Sequence, residues 1–289
     1  MKIKILIPIY NDWQSVFKLL ENINSEVSNL GHEFSVIIVN DASTESKPEM
    51  TTNLDNLNSI KIINMRENRG HARCNATGLK HIFENEEFDY VIPMDGDGED
   101  RPEEIKQLVD NLNYHPDKPI VGERIKRSEG IFFKLCYFIH KLITYTFTGQ
   151  SIKFGNYSCL PKSIVERMIN EKATWSSFSG ALAKVSKDRA TIPSERGSRY
   201  FGPSKMSFKN LTIHSLAIIS VFKFNVLLRS IMFLIVYMFL IHQNISIIML
   251  IPFPLIVLLV VLVFLTSKRE SLGEMKESFS NILNIDNIK

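Results

Sequence analysis

The sequence predicts an α/β domain, with a mostly parallel sheet between helical layers, followed by a transmembrane helical hairpin. Three observations predict it. β-rich apolar runs alternate with helix-periodic segments over residues 1–125. One of those runs surfaces abruptly in a pair of carboxylates, Asp95 and Asp97. Two nearly charge-free stretches, residues 226–241 and 245–266, stand near the C-terminus and approach or exceed the ~20 apolar residues that span a bilayer.

Residues 2–8 and 34–39 are β-rich and end in polar residues, Asn11-Asp12 and Asn40-Asp41-Ala42-Ser43-Thr44. Between them Val16, Leu19, Leu20 and Ile23 recur at helical spacing. Residues 60–65 predict a short strand and residues 71–83 a helix, with Ala72, Ala76, Leu79 and Ile82 along one face. Residues 90–94 form the strand that carries the carboxylates, and residues 101–112 a helix with Pro102 in its first turn. Residues 119–122 add a further strand. Beyond Arg124 the pattern loosens. Residues 130–148 read as an aromatic helix whose poorly separated faces suit a membrane surface, and residues 164–169 and 178–185 as shorter helices. A basic loop, 196–209, precedes an amphipathic lead-in, 210–224. His242-Gln243-Asn244 is the expected turn of the hairpin, which Pro252 and Pro254 should kink early in its second arm. The expected organisation is therefore a domain over 1–210, an interfacial helix over 211–224, a hairpin over 225–267 and a cytosolic tail over 268–289.

A net charge of +3 is too mild to argue for a nucleic-acid partner. The three cysteines, Cys74, Cys136 and Cys159, match no zinc spacing and form no disulfide framework, which points to a reducing compartment. The apolar run 3–9 is too short for a signal peptide and contains Pro8.

Period-two geometry points Asp95 and Asp97 to the same side of a strand tip, where they repel unless a cation sits between them. Hard oxygen ligands suit Mg²⁺ or Mn²⁺, which usually also hold a substrate phosphate. A calcium loop is excluded, because the positions that require Gly and Glu hold Asp100 and Lys106. Asp100 also reads as an N-cap of the following helix. Asp41 at its strand end suits a base or ribose contact, or an Asx turn or helix cap. Gly70 and Arg73, at the start of a helix, suit a diphosphate, or a plain cap with a surface arginine. The run from Glu195 to Lys205 places Arg196, Arg199 and Lys205 just before membrane-associated sequence, for phosphate or for anionic headgroups.

Taken together, the motifs resemble family 2 glycosyltransferases, in particular the polyprenol-phosphate type that includes dolichyl-phosphate mannosyltransferases and enzymes charging undecaprenyl phosphate. The family's P-x-Y-N-E is Pro8-Ile9-Tyr10-Asn11-Asp12 here. Its V-D-D-G-S-T is Val39-Asn40-Asp41-Ala42-Ser43-Thr44, and its R-N-x-G stretch is Arg66-Glu67-Asn68-Arg69-Gly70. Its D-A-D-L-Q-D-P-P corresponds to the residues from Asp95 to Pro102, its G-x-R to Gly122-Glu123-Arg124, and its R-x-x-G-x-S-K to the residues from Arg199 to Lys205. The match runs in order over about residues 1–210. Asn40 and Ala42 replace Asp and Gly, Gly98-Glu99 replaces Leu-Gln, and Asn156-Tyr157-Ser158 stands where relatives often have D-F-R. The Q-x-x-R-W signature of processive synthases is absent.

The resemblance implies a GT-A fold for nucleotide-diphospho-sugar transfer, with inversion at the anomeric carbon. It implies nucleotide contacts at Pro8, Tyr10, Asp12, Asp41, Asn68, Gly70, Arg73, Asp95 and Gly96, with the metal at Asp97. Asp95, Asp97, Asp100 and Arg124 would carry catalysis. Arg124, Arg196, Arg199, Ser204 and Lys205 would meet the acceptor phosphate. The expected reaction moves one sugar from a UDP- or GDP-linked donor, with Mg²⁺ or Mn²⁺, to a polyprenyl phosphate, in an inner-membrane protein whose catalytic domain faces the cytoplasm. A hydroxyl on a lipid-linked saccharide is the alternative acceptor; it would demand a base, for which Asp100 and Glu195 are candidates. A non-catalytic nucleotide-sugar-binding membrane protein is a third reading. Membrane lipids are expected partners, nucleic acid is not, and the oligomeric state is left open.

Overall fold

In the computed structural model the β-rich runs pair edge to edge as strands with buried faces. The structure describes all residues except Thr51, 127–130, 204–206 and Asn244, with only the backbone described at 126 and 131–135. β1 (Lys2–Ile9) lies parallel to β2 (Glu33–Asn40) on one side and to β4 (Tyr90–Pro93) on the other, and β2 is parallel to β3 (Leu57–Met65). These strands are nearly continuous apolar runs, as expected for strands covered on both faces. α1 (Trp13–Val27) buries Val16, Leu19, Leu20 and Ile23, which fixes the face read from their spacing. α2 (His71–Asn85) packs Gly78 against Leu6 and Val39, leaving no room for a larger residue.

The remaining strands carry weaker signals. β6 (Phe154–Pro161) runs antiparallel to β4 and to β5 (Ile120–Lys126), and β7 (Ala190–Glu195) forms one edge parallel to β5. β7 contains Pro193, which an edge strand tolerates. β8 (Ile282–Asn287) forms the other edge, antiparallel to β3, so the order is β7-β5-β6-β4-β1-β2-β3-β8. The helices α3 (Ile105–Asn111), α5 (Lys162–Ile169) and α6 (Phe178–Val185) complete the layers.

The structure divides the chain differently from the sequence-based boundaries. One unit holds residues 1–128, 153–205 and 271–289; the second holds 129–152 and 206–270. Residues 271–289, within the expected cytosolic tail, group with the sheet unit through α10 (Leu272–Lys276) and β8. α4 (Ile131–Thr148), in turn, belongs to the hairpin unit.

In that second unit α7 (Phe208–Ser220), α8 (Lys223–Ile241) and α9 (Pro252–Ser267) meet α4 around Ile219, Val226 and Val263. Gly149, with φ 75°, ends α4. α8 caps the free carbonyls there: Asn225 Nδ2 donates to Thr148 O and Arg229 Nη1 to Thr146 O, both at 3.1 Å. Leu228, Ile235, Phe239, Leu255 and Leu258 are exposed on the hairpin, an apolar surface that a water-facing helix rarely shows. The two arms are long and apolar enough to cross a membrane.

Ala42 adopts φ 57°, the left-handed region, where the family motif has Gly. This conformation costs a Cβ-bearing residue roughly 1–2 kcal/mol, and the greater freedom of glycine in the unfolded chain offsets part of that. Ala42→Gly is therefore expected to stabilise the protein by about 0.5–1 kcal/mol. A lower denaturation midpoint for the variant would show that the Ala42 methyl makes a contact worth more than the strain.

Candidate active site

The C-terminal ends of β1, β2 and β4 converge at one sheet edge, the place where open α/β sheets bind ligands. β4 ends at Pro93, and the next turn carries Asp95, Asp97 and Asp100. Tyr90 pairs with Pro161 and Val91 with Leu160, and continuing that antiparallel register puts Asn156 opposite Asp95. Asn156 Nδ2 accordingly donates to Asp95 Oδ1 at 3.1 Å. His71, the first residue of α2, places Nε2 3.0 Å from the same oxygen. Burial raises the Asp95 pKa, but His71, Arg124 and the Asn156 hydrogen bond outweigh it and hold the carboxyl well below the usual range.

Its neighbours shift the other way. Burial and the Asp95 charge push Asp97 up to about 6, against the pull of Arg199 and Arg196. Asp100 is 5% exposed, and burial with the Asp95 charge pushes it up to about 8. Its Oδ2 accepts the Asp95 N–H at 2.9 Å, so it closes the turn internally and does not cap the following helix. Arg124 bears electrostatically on both Asp95 and Asp100, and its guanidinium lies against Gly155.

The loop after β7 closes over this turn. Arg199 Nη1 donates to Asp97 Oδ2 and Nη2 to Asp12 Oδ2, each at 2.6 Å. Arg196 pairs with Glu99. The Tyr200 ring covers Gly98, where a Cβ would come within 2.5 Å of it. Gly98 therefore has to lack a side chain. Ser204 and Lys205 lie outside the described residues.

The other expected nucleotide residues divide into two groups. Tyr10 and Asn68 are exposed at the edge, and Asp12 lies beside them, bound to Arg199. Pro8 is buried in β1, and Gly96 packs inward on Ile9 and Ile7. Asp41 is 3% exposed, and its two oxygens accept the backbone N–H groups of Arg69 and Gly70, both at 2.8 Å. Asp41 thereby ties the end of β2 to the loop that leads into α2. Gly70 has φ 94°, which favours glycine, with open space where a Cβ would stand. Arg73 stacks over Trp175 at 5.5 Å and donates to Arg69 O. Asn40, where the family has Asp, donates to Asn64, which donates to Asp286 of β8, both at 2.9 Å. This ladder explains the amide: each member needs a donor for the next.

Sequence reasoning passed over His71, and it treated Asn156 only as a departure from the family pattern. The β4–β6 register marks Asn156, and the helix-start position after Gly70 marks His71.

The donor set suits a hard divalent cation, since burial and the Asp95 charge both disfavour an uncompensated Asp97 carboxylate and a cation beside it would offset them. Among the described residues no three His, Cys, Asp or Glu side chains gather as a ready-made metal cage. A metal here would take few protein ligands and draw the rest from a diphosphate and water, as Mg²⁺ usually does.

Undecaprenyl-phosphate 4-deoxy-4-formamido-L-arabinose transferase of Klebsiella pneumoniae (strain 342) is 30% identical over 221 residues, 73% of this chain and 64% of that protein. The protein of that name from Salmonella newport is 29% identical over 220 residues, with the same coverage. The chain thus spans 64% of the length of these curated relatives. Glucosyl-3-phosphoglycerate synthase of Mycobacterium tuberculosis, crystallised with Mn²⁺, UDP and phosphoglyceric acid, superposes with TM-score 0.58 at 12% identity, over 78% of each chain. S. aureus TarS 1–349 with UDP-GlcNAc gives TM-score 0.53 at 16% identity, over 80% of this chain and 70% of that one. At such identities these two establish the GT-A fold. Residues 4–165, more than half of the chain, match the model of glycosyl transferase family 2, and the chain belongs to that family.

Proposed function

We propose that this protein is a membrane-anchored inverting glycosyltransferase that moves one sugar from a UDP- or GDP-linked donor to a polyprenyl phosphate. The observation that carries the reading is the crowding of Asp95, Asp97 and Asp100 with Arg124 and Arg199 at the strand-end edge, in a chain that also holds two membrane-length apolar helices. The relatives' names, which specify undecaprenyl phosphate, support the acceptor.

A divalent ion bound at Asp97 would stabilise charge on the departing nucleoside diphosphate. Asp95, ionised and clamped at Oδ1 by His71 and Asn156, keeps Oδ2 for a ribose or sugar hydroxyl. Arg124 and Arg199 supply positive charge for an anionic acceptor, which needs positioning and charge compensation more than a base.

The alternative hydroxyl acceptor finds little support. Asp100 is buried with Oδ2 engaged by the Asp95 amide, and Glu195 lies 3.9 Å from Arg101. Purified protein in detergent is expected to release nucleoside diphosphate only when polyprenyl phosphate is added. Release that instead requires a lipid-linked saccharide would replace this acceptor with the hydroxyl one.

Both ends of the hairpin lead by chain to the sheet unit, so an even number of crossings joins them. Lys209 and Lys223 before it, and Lys268 and Arg269 after it, favour the cytoplasmic side for both ends. A cysteine introduced at His242 is expected to react with a membrane-impermeant reagent in intact cells. Labelling at residue 268 in its place would invert the topology.

A further inference from the structure

Arg199 is held at the edge by two carboxylates. It bridges Asp97 Oδ2 and Asp12 Oδ2, with side-chain exposures of 14% for the arginine and 16% for each carboxylate. The rest of its loop is fastened to the same turn. The Tyr200 N–H donates to Asp97 O at 3.0 Å and the Gly197 N–H to Glu99 O at 2.9 Å. Asn22 Nδ2 on α1 donates to the Tyr200 hydroxyl at 2.8 Å.

The other oxygen of Asp97, Oδ1, accepts the Glu99 N–H at 3.0 Å. Oδ2 is therefore the oxygen that would face a metal, and a guanidinium already holds it. Two cations on one carboxylate oxygen repel, so a divalent ion and this arginine compete for the same place. A second observation indicates that the guanidinium is not in its final setting. Arg199 Nε is buried without a hydrogen-bond partner, an arrangement that native structures rarely leave unanswered. A phosphate oxygen is the acceptor such a donor fork suits.

We propose that Arg199 is a placeholder cation: it neutralises Asp97 and Asp12 until a metal-bound nucleoside diphosphate takes Asp97 Oδ2, and its displacement frees the guanidinium for phosphate. This rests on the reading of Asp97 as the metal ligand. The placeholder keeps two partly covered carboxylates from repelling each other, and it couples arrival of the donor to release of the loop from 196 to 202.

The test is calorimetric titration of Mn²⁺ alone into the full chain in detergent, for wild type, Arg199→Ala, Asn22→Ala and Asp97→Ala. Arg199→Ala is expected to bind Mn²⁺ at least about tenfold more tightly than wild type, since two charge-assisted hydrogen bonds no longer have to break. Asn22→Ala loosens the loop while leaving every charged group in place, and is expected to bind up to about fivefold more tightly. Equal or weaker binding by Arg199→Ala overturns the placeholder. If Asp97→Ala loses Mn²⁺ while the other two variants match wild type, the metal site stands and only the placeholder falls. If neither wild type nor Arg199→Ala binds Mn²⁺, both readings fall.

Discussion

Asp97→Ala is expected to lower sugar transfer by at least about 10²–10³-fold, the scale on which removal of one electrostatic element from an active site is felt. Folding is expected to survive intact. The carboxyl of Asp97 is pushed up to about 6 in the folded protein, so the folded state binds that proton more tightly than the unfolded chain does. Its contribution to stability therefore declines as pH rises from about 4 through 6, and alanine removes the penalty. The variant should melt at or slightly above the wild-type temperature near neutral pH. Transfer that persists in the variant, or in wild type with excess chelator, would move the chemistry away from Asp97.

Deletion of residues 278–289 is expected to have the largest effect on stability. β8 pairs with β3 from Lys61 to Met65, and Lys289 Nζ donates to Leu54 O at 2.6 Å. Asn281 Nδ2 donates to Glu67 O and its own carbonyl accepts the Arg66 N–H. Phe279 lies under the Lys80 ammonium and edge-on to His81. At about 1 kcal/mol net per hydrogen bond, the loss amounts to several kcal/mol, a large share of the ~5–15 kcal/mol typical of a domain. The truncated protein should fail to accumulate or should melt far below wild type in detergent. A truncated protein with a wild-type melt would make β8 an ornament on a self-sufficient sheet.

The parts of the fold legible in the sequence are those where one physical rule acts alone. β1, β2 and β4 are doubly covered, so their apolar runs stand out, and the face of α1 follows from spacing. β6 was hidden because Gly155, Asn156 and Ser158 serve the site and break the strand pattern. β7 was hidden by Pro193, and β8 by Asn284, Asp286 and Asn287, polar residues that an exposed edge admits. The same contrast holds at the candidate site. Asp95 and Asp97 were legible because two carboxylates at a strand tip have few structural uses. Asp41 and Arg73 were ambiguous because such side chains serve equally well to tie the backbone together and to meet a ligand, and local sequence does not separate the two. The Arg199 bridge joins residues 12, 97 and 199, a proximity that no local pattern encodes.

The placement of β8 also bears on how the protein is made. The ribosome produces both hairpin arms before it produces the strand that closes the β3 edge. Until then β3 offers an open row of amides and carbonyls, the kind of edge that recruits other chains. The sheet thus cannot finish until the membrane segment has been synthesised. A nascent chain that stalls before that point exposes an unpaired strand, a signal that chaperones and proteases can read.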